Sequence, residues 1–343
     1  MDNKLYRWVK STLSDKTAHC EPLAGDASAR QYFRVQCGLN HYIAMVSPPK
    51  QIPLLPFVEI ARAWAGHGIK VPELISMDLG QGFALMTDFG NVALQDKLSG
   101  HNVDYFYHKA LEALVKIQIA PQPSDYAYPM FDTDHIFTEL GYFSEWCVDK
   151  LLGLKDKTDQ LMLKDLYLQL VKSCQEQPQV VVHRDYHCRN IMVLPNANGD
   201  NIGIIDFQDA VIGPITYDWV SLTKDCYVQW PREKIESWLK DFYDACQQQK
   251  SFNLPSFDVF QLWFDMTGLQ RHLKVLGIFS RLSLRDGKSA YLQDAPRIMD
   301  YIFQVCDRYT TLQDFQKWLE VKFWPALKEA IEPSSHVNIS GVG

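Results

Sequence analysis

The strongest constraint on this chain is a set of short apolar runs that each end on polar groups. Val180-Val181-Val182 leads into His183-Arg184-Asp185-Tyr186-His187-Cys188-Arg189-Asn190, and Ile191-Met192-Val193-Leu194 follows at once. Sixteen residues past Asn190, a further apolar run ends on Asp206-Phe207-Gln208. The polar stretch 195–200 between the last two runs reads as a hairpin loop. Two carboxylates and a carboxamide thus converge on one hairpin. Groups at strand exits are held rigidly and remain reachable, as catalytic groups must be. Asn190 and Asp206 offer the hard oxygens that Mg²⁺ takes, and Asp185 can accept the proton of an attacking hydroxyl.

Plainer readings stand beside this one. Asp185 and Asn190 are also residue types that cap loops. His183 and His187 lie four apart, but a strand precedes them and no Glu follows the first, unlike a metalloprotease helix. Asp218 reads as a capping or loop-anchoring acid rather than a catalyst.

Around this hairpin the chain changes character once. Strand-like runs cover residues 19–23, 31–35, 41–46, 74–78 and 82–87, with one helical stretch at 54–66, which predicts a five-stranded antiparallel sheet with one helix. Gly80 and Gly82 sit where the last hairpin would turn. From residue 91 onward the apolar spacing is mostly helical, at 103–119, 136–152, 159–174 and beyond 215. The fold class is therefore α+β: a strand-rich region, 1–88, before a larger helical region, 89–343, that carries the catalytic loop. Residues 24–30, small and turn-forming, are a candidate phosphate cradle through Gly25, Ser28 and Arg30, or an ordinary hairpin turn. The crossing at 85–90 could meet a nucleotide base through Thr87 and Phe89, though Phe89 fits a core equally well. Glu59 on the helix at 54–66 could orient a phosphate-binding cation or face solvent.

Composition narrows the partners. The net charge is −7, so no global cationic field holds nucleic acid or an anionic membrane. No apolar run reaches the length of about 18 residues that a spanning helix needs. The N-terminus is charged from its second residue and has no apolar signal region, and the eight cysteines include no C-x-x-C pair. A cytoplasmic protein with reduced thiols is expected, as a monomer or weak dimer with small-molecule partners.

Residues 183–190 meet the protein-kinase pattern H-R-D-x-x-x-x-N, and Asp206-Phe207 supplies the start of D-F-G twenty-one positions after Asp185. With Gln208-Asp209 following, the set resembles the aminoglycoside phosphotransferase and choline kinase family. Asp206-Phe207-Gln208-Asp209-Ala210, Leu269-Gln270-Arg271-His272-Leu273-Lys274 and Ala27-Ser28-Ala29-Arg30 look more particularly like the anomeric kinases of N-acetylmuramate and N-acetylglucosamine in cell-wall recycling. The resemblance implies a bilobal kinase-like fold, an ATP- and Mg²⁺-dependent transfer to an amino sugar, Asp185 as base, and Asn190 and Asp206 as metal ligands. Two departures matter. Met45 stands near the place of the strand lysine, which leaves Arg30 or Arg34 to supply the charge, and Gln208 replaces the glycine. An aminoglycoside or other amino-alcohol kinase and a nucleotide-binding scaffold without turnover are the alternatives. Five basic residues against Asp286 alone between Leu269 and Lys288 favour a neutral or anionic sugar over a polycation.

Overall fold

The computed structural model describes residues 3–23, 29–195 and 200–331. Helix α1 (Asn3–Thr12) leads into strands β1 (His19–Pro22), β2 (Gln31–Cys37) and β3 (Asn40–Val46). Helix α2 (Leu55–Gly66) and strands β4 (Leu74–Asp78) and β5 (Phe83–Thr87) follow. The strands pair antiparallel in the order β1-β2-β3-β5-β4, the five-stranded sheet that the alternation predicts. Its two faces separate because side chains alternate along a strand. Phe33, Val35, Ala44, Phe83 and Leu85 form one core with Leu5 and Val9 of α1. The other face carries Tyr32 opposite Met45, and Ile43 between Arg34 and Met86.

Helices α3 (Leu94–Lys97), α4 (Val103–Gln118) and α5 (Thr133–Tyr142) come next. The single helix expected over 136–152 is instead two geometries in series, because α5 continues as a π-helix over Phe143–Leu151. After α6 (Lys157–Gln175), strand β6 (Gln179–Val182) delivers the loop at 183–190. It pairs with β9 (Val211–Pro214), while β7 (Ile191–Leu194) pairs antiparallel with β8 (Asn201–Ile204). Helices α7 (Tyr217–Thr223), α8 (Arg232–Gln247), α9 (Phe257–Asp286) and α10 (Ala295–Arg308) follow, with α11 (Gln313–Trp318) and α12 (Trp324–Ile331) last. No helix among the described residues is long and apolar enough to cross a membrane, and all eight cysteines are free.

The chain forms two compact units. One comprises Met1–Met130, Val180–Leu222 and Asp244–Phe252; the other comprises Phe131–Gln179, Thr223–Tyr243 and Asn253–Gly343. The change from strands to helices after residue 88 is thus a change of secondary structure inside the first unit, which holds the sheet together with the catalytic loop. In the second unit, α9 packs directly on the π-helical turn. A Cβ on Gly277 would lie 2.4 Å from the backbone nitrogen of Phe143, so only glycine allows the approach. From the same helix, buried Gln270 and half-buried Lys274 bond Glu139 at 3.0 and 2.5 Å. His272 is buried, stacks on Tyr301 and bonds the Lys224 carbonyl at 3.0 Å.

Candidate active site

The loop at 183–190 is folded by its own backbone. His187 N donates to the Asp185 carbonyl at 3.0 Å, and Asn190 N donates to that of His187 at 2.9 Å. The Asn190 side chain closes the loop by donating to the Asp185 carbonyl at 2.9 Å. Ile205 N then donates to the Asn190 carbonyl at 3.0 Å, which joins the loop to the strand that delivers Asp206. His183 is buried with Nε2 2.9 Å from the Ile205 carbonyl; a carbonyl only accepts, so Nε2 carries the proton. Tyr186 is fully buried and donates to the Ala110 carbonyl at 2.7 Å. Asp185 and Asp206 themselves are exposed. Buried neighbours hold the loop while the carboxylates face outward.

Two backbone conformations here are unusual. Arg184 and Asp206 have φ of 76° and 64°, in the left-handed region that side chains other than glycine seldom adopt. Asp218 sustains the first of them. It is fully buried, and its carboxylate accepts His183 N at 2.6 Å and Arg184 N at 3.0 Å. This is the loop-anchoring role read from its position after Pro214.

The hairpin is tied to the preceding chain on both edges. Val193 N donates to the Val92 carbonyl at 2.9 Å, and Ile204 N to the Lys70 carbonyl at 2.8 Å. Phe207 is fully buried, stacked on Phe57 of α2 at 5.0 Å and tilted against Trp64 at 5.4 Å. The aromatic residue beside the metal-ligand candidate therefore fixes α2 to the catalytic hairpin.

Between the sheet and this hairpin lies a cavity of about 370 Å³. Leu23, Ile43 and Met86 line it from the sheet, Met192 and Ile205 from the hairpin, and Asn190, Asp206 and Gln208 supply polar groups. Of the candidates named from the sequence, Arg30, Arg34, Thr87, Phe89, Asn190 and Asp206 all line it. Phe89 is pressed against Gly203, where a Cβ would come within 2.5 Å of its ring. Gly25 and Ser28 lie outside the described residues. Asp185 is not part of the lining and reaches the cavity through Asn190. Glu59 is placed elsewhere: buried on α2, it takes Arg62 Nη1 at 3.0 Å and Asp125 N at 3.4 Å.

The two arginines differ in their employment. Arg34 grips both oxygens of Asp88, at 2.6 and 3.2 Å, and also donates to Asn91 Oδ1 and the Gly90 carbonyl. It fastens the crossing at 85–90 to the sheet. Arg30 is buried in the lining of the same cavity, and its charge reaches Tyr32. The Tyr32 phenol is pushed up to about 12, first by burial and then by the Asp206 carboxylate, with Arg30 opposing. Met45 is fully buried opposite Tyr32, which confirms that no strand cation stands there. Tyr32 and Gln208 are lining residues that sequence reasoning missed; the two-residue period from Arg30 through Tyr32 to Arg34 is the signal that marks the first.

The donor set fits a divalent cation. Asn190 Nδ2 stands 3.5 Å from Asp206 Oδ2, so the two side chains meet, and Gln208 Oε1 beside them is a buried acceptor with no hydrogen-bond partner among the described residues. A carboxylate with side-chain amide oxygens is a donor set that Mg²⁺ takes together with phosphates and water.

Residues 19–258 match the model of the phosphotransferase enzyme family. The chain belongs to that family. Over 295 residues it is 39% identical to the N-acetylmuramate/N-acetylglucosamine kinase of Pseudomonas putida, covering 85% of this chain and 84% of the relative. It is 40% identical over 282 residues to the enzyme of the same name from Pseudomonas aeruginosa, covering 82% of each. Among solved structures, the ADP-bound aminoglycoside phosphotransferase APH(2'')-Ib superposes with a TM-score of 0.58 at 13% identity, over 88% of this chain and 98% of that one. The phosphotransferase thus shares its fold with enzymes from which its sequence has diverged widely.

Proposed function

We propose that this phosphotransferase transfers the γ-phosphoryl group of ATP to the anomeric hydroxyl of N-acetylmuramate or N-acetylglucosamine. The observation that carries phosphoryl transfer is the joining of Asp185, Asn190 and Asp206 through one backbone-folded loop at the edge of the cavity. Leu23, Ile43, Met192 and Ile205 offer apolar surfaces to a flat base, beside the crossing that Arg34 fastens. Arg30 takes the place of the strand lysine, because it is buried in the lining of the cavity whereas Arg34 is committed to Asp88. Asn190 and Asp206 would hold Mg²⁺, which would neutralise charge on the phosphate oxygens. The exposed Asp185 carboxylate orients the sugar hydroxyl and takes its proton. The sugar oxygen bonds to the γ-phosphorus as the bond from that phosphorus to the β,γ-bridging oxygen breaks, and ADP leaves.

The acceptor rests on the relatives rather than on local charge. Lys274 pairs with Glu139 and Arg285 with Asp286, while Arg281 lies over the Tyr142 ring. Most of the cationic stretch on α9 is therefore matched within the second unit, which removes the argument for an Arg-lined carboxylate site. We assign the nucleotide to the lobe at 1–88 together with the catalytic hairpin, and the acceptor to the lobe at 89–343. The free thiols suit a cytoplasmic enzyme, acting as a monomer or weak dimer on small molecules without nucleic-acid or membrane partners.

An assay of ATP consumption over a panel of sugars tests this reading. Both N-acetyl sugars are expected to turn over, with an acid-labile C1 phosphate as product, and kanamycin-type acceptors to be poor. Efficient phosphorylation of an aminoglycoside with both N-acetyl sugars inert would overturn it.

A further inference from the structure

Gln208 stands where the kinase pattern has glycine, and its side chain is 5% exposed residue surface on the wall of the cavity. Its Nε2 donates to Asp206 Oδ1 at 2.8 Å and approaches Asp209 Oδ2 at 3.4 Å. The other oxygen of Asp206, Oδ2, faces Asn190 Nδ2 at 3.5 Å. The two oxygens of one carboxylate therefore have different surroundings: Oδ1 is held by a buried amide at 2.8 Å, whereas Oδ2 receives only the distant Asn190 Nδ2 at 3.5 Å. Among the described residues Gln208 Oε1 is buried without a hydrogen-bond partner, on the stretch of cavity wall where Asn190 and Asp206 supply the neighbouring polar groups.

We propose that Gln208 is a positioning residue that occupies Asp206 Oδ1, so that Asp206 meets a divalent cation through Oδ2 alone. This rests on the reading of Asp206 as a cation ligand given above. Two consequences follow from coordination chemistry. Contact through one carboxylate oxygen suits Mg²⁺ or Mn²⁺, which keep near-octahedral shells with several waters; Ca²⁺ readily takes both oxygens of a carboxylate. The unpaired Oε1 is also placed to accept a hydrogen bond from a cation-bound water. A glycine at this position supplies neither contact, so Gln208 sets which cation the site prefers as well as how firmly Asp206 is held.

Binding of Mn²⁺ and Ca²⁺ to the full chain in the presence of ADP tests the proposal. Free Mn²⁺ is followed by electron paramagnetic resonance and Ca²⁺ by competition, in the wild type, Gln208→Leu, Gln208→Glu and Asp206→Ala. Metal-free ADP binding and thermal melting serve as references. Gln208→Leu is expected to weaken Mn²⁺ binding about 10-fold and to shift the Mn²⁺/Ca²⁺ affinity ratio toward Ca²⁺ by a similar factor. Each cation affinity is read relative to the same variant's metal-free ADP affinity, so that a general effect on the cavity drops out of the Mn²⁺/Ca²⁺ ratio. Should Gln208→Leu fold poorly, Gln208→Glu keeps the size, removes the donor and should move the ratio in the same direction. An unchanged ratio, or equal weakening of both cations, shows Gln208 to be packing only and overturns the proposal. Asp206→Ala separates the two levels of the argument. If it abolishes ADP-dependent Mn²⁺ binding while the Gln208 variants behave as wild type, the positioning role alone fails. If Asp206→Ala leaves Mn²⁺ binding intact, the ligand assignment fails and takes the positioning role with it.

Discussion

Asp185→Asn is expected to lower turnover by about 10²–10⁴-fold, the usual worth of a general base, while ADP affinity stays within about twofold of the wild type. The separation follows from where the residue's contacts lie. His187 N and Asn190 Nδ2 both bond the Asp185 backbone carbonyl, which an asparagine retains. The carboxylate is exposed and is not part of the cavity lining, so its loss as a base does not disturb the surfaces assigned to the nucleotide. Steady-state kinetics with N-acetylglucosamine, set beside calorimetric titration with ADP, measures both halves. Near-normal turnover would remove Asp185 from the chemistry, and lost ADP binding would show that the substitution disturbs more than the base.

The parts of this site that are legible in the sequence are those whose chemistry compresses into a few positions. A base, an amide ligand and a carboxylate ligand must reach one phosphate, and two short strands bring them there with little freedom in spacing. The sheet is legible for a similar reason: alternation in 31–37 and 40–46 is local, and each side chain's face follows from its parity. What escapes is decided by distant neighbours. Glu59 lies on a helix whose residues Phe57, Val58, Ile60 and Ala61 are also buried, so no apolar stripe tells which way it points. The basic stretch on α9 looks unpaired because Glu139, which takes Lys274, is 135 residues earlier in the chain. The π-helical turn after α5 leaves no periodic trace at all, because it answers to the close approach of Gly277. Gln208 reads in sequence only as a missing glycine; its bond to Asp206 becomes visible once the rotamers of both are fixed.

Asp218 supports a prediction of the same order from the opposite side of the loop. Asp218→Ala removes the acceptor for two adjacent backbone amides, His183 N and Arg184 N, beneath a residue held at a φ of 76°. Buried donors without acceptors cost about 1–3 kcal/mol each, which gives a destabilisation of roughly 2–6 kcal/mol. The left-handed conformation of Arg184 is itself strained, and the Asp218 carboxylate is what holds it in place. Its release would carry Asp185, the next residue, away from the position from which it meets the acceptor. A displacement on the order of 1 Å is worth about 10²-fold in rate, so activity should fall by at least that factor in whatever fraction stays folded. Asp218→Asn keeps one amide oxygen as acceptor but sets an N–H₂ group against the other donor. It should fall between wild type and alanine in both properties. Urea denaturation and kinetics at a temperature where the variants remain folded give the two numbers. A stable Asp218→Ala enzyme with wild-type turnover would mean that the loop keeps its shape without the anchor, and that Arg184 holds its conformation by other contacts.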